Sequence, residues 1–243
     1  TGSSTDKTFT VAYSGGVAAA GLANSGLSAP FTFKGGSYPG TGGDCSASIS
    51  ANCTVVVTYA PSATGLLSRT LQLDYNDGVA AQSATRAMQG TGANPAVLTI
   101  SDGATYDYGT KATGSSTDKT FTVAYSGGVA ATGLANSGLS APFTFKGGSY
   151  PGTGGTCGAS ISANCTLVVT FAPTSAGASP EAVALDYNNG SVVVSASGAL
   201  TGATANPVIS SAPVTSAEVF RDYSYSVIAT SPIGAPITYS LSV

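Results

Sequence analysis

"CTLVVTFAP", residues 165–173, alternates Cys165, Leu167, Val169 and Phe171 with Thr166, Val168 and Thr170. A period of two is that of a β-strand, whose side chains point to opposite faces in turn. The first set reads as a core face and the second as an outward face. "CTVVVTYAP", residues 53–61, repeats the pattern. Working outward, runs rich in Val, Thr, Tyr and Phe alternate with clusters of Gly, Ser, Asn and Pro, and no 3.6-residue periodicity supports a helix. Strands are expected near Val97–Ser101, Tyr106–Thr110, Lys119–Tyr125, Phe143–Gly147, Cys165–Pro173, Glu181–Tyr187 and Ser191–Ser197. That number of short strands suits an immunoglobulin-like sandwich. The expected fold class is all-β, with tandem immunoglobulin-like β-sandwiches in a linear array.

The chain repeats itself. With Thr1 laid on Thr113, Thr1–Asn94 aligns with Thr113–Asn206 without a gap, and 56 of the first 61 pairs are identical. Over the remaining 33 pairs only 12 match. What survives in that drifted part is "LDYN" (Leu73–Asn76 and Leu185–Asn188), Gly78 and Gly190, Gly90 and Gly202, and "ANP", read here as turn and boundary residues. "DYNDG" and "DYNNG" each signal a tight hairpin, so the strands on either side should pair directly. A calcium loop is excluded there by spacing and by the missing Glu.

This register sets expected domains at 1–94, 95–206 and 207–243. Repeat 1 has no counterpart of Pro95–Ala112, which holds the opening strand of repeat 2, so it should show an unpaired sheet edge or a substitute strand. Residues 207–243 do not align with the repeat and read as the start of a third β domain.

Composition narrows the function classes. Of 243 residues 42% are hydrophobic, enough for real cores, and only 8% are charged. With 8 Lys plus Arg and a net charge of −3 there is no basic patch for nucleic acid or an anionic membrane surface. No apolar run approaches the ~20 residues of a spanning helix. The chain has no His, which removes Ser-His-Asp and Cys-His catalytic sites. No cofactor, metal site or enzymatic role is expected.

Four cysteines occur as Cys45 with Cys53 and Cys157 with Cys165, each pair eight apart and at the same place in its repeat. That spacing, without His, does not make a zinc knuckle. One disulfide per repeat is expected, pinning a Gly-rich loop to the start of the alternating strand. Persistent disulfides belong to an oxidising compartment, the cell exterior or the periplasm.

The combination of "YDYGTKATGSSTDKTFTVAYSGGVAATGL", "FTFKGG", "CGASISANCTLVVTFAP" and "ALDYNNG" resembles the bacterial Ig-like repeats of the choice-of-anchor D type, which are related to the ASH and major sperm protein-like sandwiches. The likeness spans Thr1 to about Asn206. It implies a sandwich of seven or eight strands repeated in large secreted or surface-anchored bacterial proteins. The tail around "YSYSVIATSPIGAPITYSLSV" is similar to the first half of Ig- or cadherin-like domains of bacterial surface proteins, without their acidic calcium ligands.

One loop stands out as a contact surface: "ANSGLSAPFTFKGGSYPGTGG" carries Phe31, Phe33, Lys34 and Tyr38, and its copy carries Phe143, Phe145, Lys146 and Tyr150. Aromatics among Gly and Ser can stack on sugars or proteins. The competing reading puts the alternating Phe residues in the core. The function expected from sequence is a stalk or adhesion segment of an extracellular bacterial surface protein, whose partners are neighbouring domains of the same chain. Alternatives are a carbohydrate- or protein-binding module and a self-associating filament subunit that accepts a donated strand.

Overall fold

The computed structural model describes residues 1–24, 27–136, 138–213, 215–216, 219, 222, 224–231, 234 and 236–239. Among them every regular element is a strand, and backbone contacts divide the chain into two units. Unit 1 is Thr1–Ala96 with Gly127–Ala130 and Asn189–Val192; unit 2 is Val97–Ser126, Ala131–Asn188 and Val193–Val243.

In unit 1, β1 (Thr5–Val11), β5 (Cys53–Tyr59) and β3 (Phe31–Phe33) form one antiparallel sheet in that order. A second antiparallel sheet has the order β4 (Ser48–Ile49), β2 (Ala19–Asn24), β6 (Gly65–Asn76) and β7 (Ala81–Gly92). Phe31, Phe33, Val55 and Val57 from the first and Leu22, Leu71, Leu73 and Met88 from the second join in one buried cluster. The small hydrophobic alternation of "FTF" and "CTVVVTY" thus becomes one half of a core.

Unit 2 repeats this plan with two further strands. Its first sheet has the order β12 (Phe143–Phe145), β14 (Cys165–Phe171), β10 (Thr117–Ser126) and β8 (Val97–Ile100), all antiparallel. The second runs β13 (Ser160–Ile161), β11 (Ala131–Asn136), β15 (Gly177–Asn188), β16 (Val193–Thr204) and β9 (Thr105–Lys111), the last pair parallel. The pairing Thr117↔Phe171 through Val123↔Cys165 is the pairing Thr5↔Tyr59 through Val11↔Cys53 carried over by the sequence repeat. Phe121, Phe143, Phe171, Leu167, Leu185 and Leu200 are fully buried.

β1 and β7 are edge strands of the two sheets of unit 1. Among the described residues no strand flanks β1 where β8 flanks β10, and none flanks β7 where β9 flanks β16. β1 stops at Val11, whereas β10 continues past the equivalent Val123 to Ser126. The extra residues are those that β8 holds, through Ala124↔Thr99, Tyr125↔Leu98 and Ser126↔Val97. A ladder partner decides how far the strand extends.

Two expectations change. Val168 is as buried as its alternating neighbours, at 5% exposure, because the "PGTGG" turn crosses β14: Val168 N–H donates to Pro151 O (2.8 Å) and Lys146 N–H to Val168 O (2.9 Å). Gly90 and Gly202 are not turn residues. They lie inside β7 and β16, where a Cβ would come within 2.6 Å of the Tyr59 and Phe171 rings respectively. Their survival in the drifted half of the repeat follows from the ring that fills the space. Gly190, by contrast, does serve a turn: its φ is 96° in the Asn189–Val192 connection, which Asn189 closes by accepting from Ser191 N–H and Val192 N–H at 3.0 Å each.

Much of 207–243, the expected beginning of a third domain, lies outside the described residues. Within it β17 (Val208–Ile209) pairs antiparallel with β18 (Ala229–Thr230).

Candidate functional site

The two cysteine pairs are disulfides, Cys45–Cys53 and Cys157–Cys165, each with Cα atoms 4.9 Å apart. Each fastens the end of the Gly-rich loop to the first residue of β5 or β14. Such bonds fit an oxidising compartment, extracellular or periplasmic. Closing a loop this short restricts the unfolded chain enough to contribute roughly 2.5 kcal/mol. Replacing Cys157 and Cys165 together by Ala should therefore lower the unfolding free energy of unit 2 by about that amount in urea titrations, with the strand signal in circular dichroism retained. Loss of the strand signal would mean that the bond carries the fold and not just the loop.

The aromatics of the expected contact loop face inward. Phe31 and Phe33 are 4% exposed, Phe143 is 0% and Phe145 is 5%. Tyr38 and Tyr150 are half-buried and meet the Phe33 and Phe145 rings edge to face at 5.5 and 5.6 Å. Burial disfavours the charged phenolate and raises the pKa of both tyrosine hydroxyls above its ordinary value. These rings complete the core under the loop and leave no aromatic platform at its surface. The side chains of the neighbouring residues 24–26 and 137 are outside the description.

Lys34 and Lys146 remain at the surface, in ion pairs with Asp6 (2.9 Å) and Asp118 (2.8 Å). Thr58 and Thr170 donate to the same carboxylates at 2.6 Å. In unit 2 the hydrogen bonds from Lys146 and Thr170 hold the Asp118 carboxyl below its ordinary range; in unit 1 those from Thr58 and Lys34 do the same for Asp6. The trio ties the loop strand to its sheet and uses up the charge on the loop. Among the described residues no three His, Cys, Asp or Glu side chains gather as metal ligands, and no helix is long and apolar enough to cross a membrane.

The sequence pointed to an open edge in repeat 1 but not to the hollows behind it. Between β1 and β7 lie three adjoining hollows of about 460, 460 and 320 Å³. Phe9, Val11, Leu73 and Tyr75 line them, together with Lys7 and Arg86. Phe9 and Val11 are half-buried, whereas their counterparts Phe121 and Val123 are 1% and 0% exposed. The Tyr59 hydroxyl in the same wall is buried and has no hydrogen-bond partner among the described residues.

No family model and no curated protein matches the chain. Solved structures do, at low similarity. One is a crystal structure of a protein of unknown function from Porphyromonas gingivalis W83, at 11% identity and a TM-score of 0.34, covering 82% of this chain and 91% of that one. Another is the endo-fucoidan hydrolase MfFcnA4 from glycoside hydrolase family 107, at 10% identity and a TM-score of 0.29, covering 83% of this chain. A point variant of that hydrolase gives 14% identity and a TM-score of 0.25. The chain spans 27% and 29% of the length of these two hydrolase chains.

Proposed function

We propose that the chain is a structural segment of a large extracellular bacterial surface protein, built of tandem immunoglobulin-like β-sandwiches in a linear array, like the choice-of-anchor D and ASH-type repeats that its sequence resembles. It spaces a functional part of that protein from the cell, or carries it in adhesion. The observation that carries this reading is the duplicated module in which the noteworthy side chains are spent internally. The loop aromatics fill the core, the loop lysines pair with Asp6 and Asp118, and the cysteines close a staple. Such modules serve by resisting extension, and each contributes its own stability.

Single-molecule force extension of the whole chain tests it. Two separate unfolding events are expected, each lengthening the chain by about 3.4 Å per released residue. Extension without resistance would remove the mechanical role. Binding of the chain on a glycan array at low concentration, abolished by substitutions in unit 2, would move the reading to a carbohydrate-binding module.

A further inference from the structure

We propose that the open face of unit 1 is a docking groove for an extended polypeptide segment with the side-chain pattern of Pro95–Ala112. Unit 2 shows what such a segment does, because it holds one. Leu98 is 4% exposed and its N–H donates to the Tyr187 hydroxyl at 3.0 Å. Tyr108 is 5% exposed and its hydroxyl donates to Val169 O at 2.9 Å, with its ring 5.6 Å from Phe143 and 5.5 Å from Phe171. Tyr106 stands edge to face on Phe121 at 5.4 Å. Carried back onto the first copy, the acceptors are Tyr75, Val57, Phe31, Tyr59 and Phe9, and all of them line the hollows of unit 1.

Charge points the same way. In unit 2, Asp102 of the segment pairs with Lys119 at 2.8 Å, and the Lys119 ammonium lies 4.5 Å from the centre of the Tyr106 ring. The pairing pulls the Asp102 carboxyl down and the Lys119 ammonium up from their ordinary values. The counterpart of Lys119 is Lys7, which is exposed at the rim of the groove and makes no ion pair among the described residues. An occupant with a carboxylate in the position of Asp102 supplies what Lys7 lacks.

The occupant comes from outside residues 1–243. The one segment of this pattern within them is engaged in unit 2 by the ladders of β8 with β10 and β9 with β16. A second copy therefore offers a donor only by opening its own unit 2. The two acceptors differ beside Ile100, among other positions. A Cβ on Gly198 would lie 3.7 Å from Ile100 Cγ2, and the residue in place of Gly198 in unit 1 is Arg86. The groove of unit 1 accordingly favours a donor with a small or acidic residue where the known segment has Ile100.

The test titrates the whole chain with a synthetic Pro95–Ala112 peptide in a calorimeter, placing most substitutions in the peptide so that the protein stays folded. One peptide per chain is expected to bind. Leu98→Asp and Tyr108→Asp peptides should bind at least tenfold more weakly, and an Ile100→Glu peptide more tightly than the parent. Lys7→Ala in the chain should weaken the parent peptide several-fold and leave an Asp102→Ala peptide unaffected. Absence of binding at millimolar peptide, or binding indifferent to Leu98→Asp and Tyr108→Asp, overturns the proposal. So does a concentration-dependent dimer, seen by light scattering, that excludes the peptide, because the groove then belongs to a second copy.

Discussion

Phe121→Ala should cost about 3–5 kcal/mol of unit 2 stability, while Phe9→Ala should cost unit 1 only about 1–2 kcal/mol. The two phenylalanines sit in the same heptapeptide, "TDKTFTV", on equivalent strands with equivalent partners in β5 and β14. What separates them is coverage. Phe121 is 1% exposed, with Tyr106 against its ring, so truncation leaves a closed cavity that its neighbours cannot fill. Phe9 already borders an open hollow and loses less on truncation. Urea unfolding that resolves the two units checks this. Equal losses would show that β8 and β9 contribute little to closing the core.

Gly152→Ala is expected to destabilise unit 2 by about 3–4 kcal/mol, through backbone strain and steric overlap together. Its φ is +89°, and a Cβ there would stand 2.2 Å from Val168 O, the carbonyl that also accepts from Lys146 N–H. Neither atom is the end of a flexible side chain, so relief requires the turn to lift off β14. Gly154 is the control. Its φ is +90° but a Cβ there meets nothing within 4 Å, so Gly154→Ala should show the strain alone, about 1 kcal/mol. Similar losses for the two variants, read from urea midpoints, would remove the steric half of the argument.

Alternation and repetition carried most of the architecture. Each of the seven strands read from repeat 2 overlaps an observed strand, because Val, Thr and aromatic runs bounded by Gly and Asn leave little choice of backbone. The strands not anticipated are β11, "ATGLAN", and β13, "SI". The first has no β-branched residue apart from Thr132 and contains Gly133 at φ +62°, and the second is a mere dipeptide; β11 is held between β15 and β13, and β13 by β11, through tertiary pairing. The contact loop was legible only as two competing readings, since "FTF" alternates identically whether its rings meet solvent or a second sheet. Facing residues from β6 and β7 or β15 and β16 decide it, and they lie far along the chain. The glycines inside β7 and β16 were misread for the same reason: a Gly that makes room for a ring and one that turns the chain look alike until the ring is placed. The open groove itself shows in sequence only as a missing alignment partner for Pro95–Ala112.

Arg86 opposite Gly198 also bears on how the chain finds its fold. Pro95–Ala112 lies in the chain between two nearly identical stretches, Thr1–Pro61 and Thr113–Pro173, and the earlier stretch is synthesised before the later one. Capture by the wrong neighbour is the characteristic error of such arrays. Arg86 stands where unit 2 has Gly198 beside Ile100, and Tyr59 where it has Phe171 beside Tyr108, so the two grooves differ at positions that meet this segment. Under the docking proposal the copied residues build the module, and the uncopied ones set which segment its groove accepts.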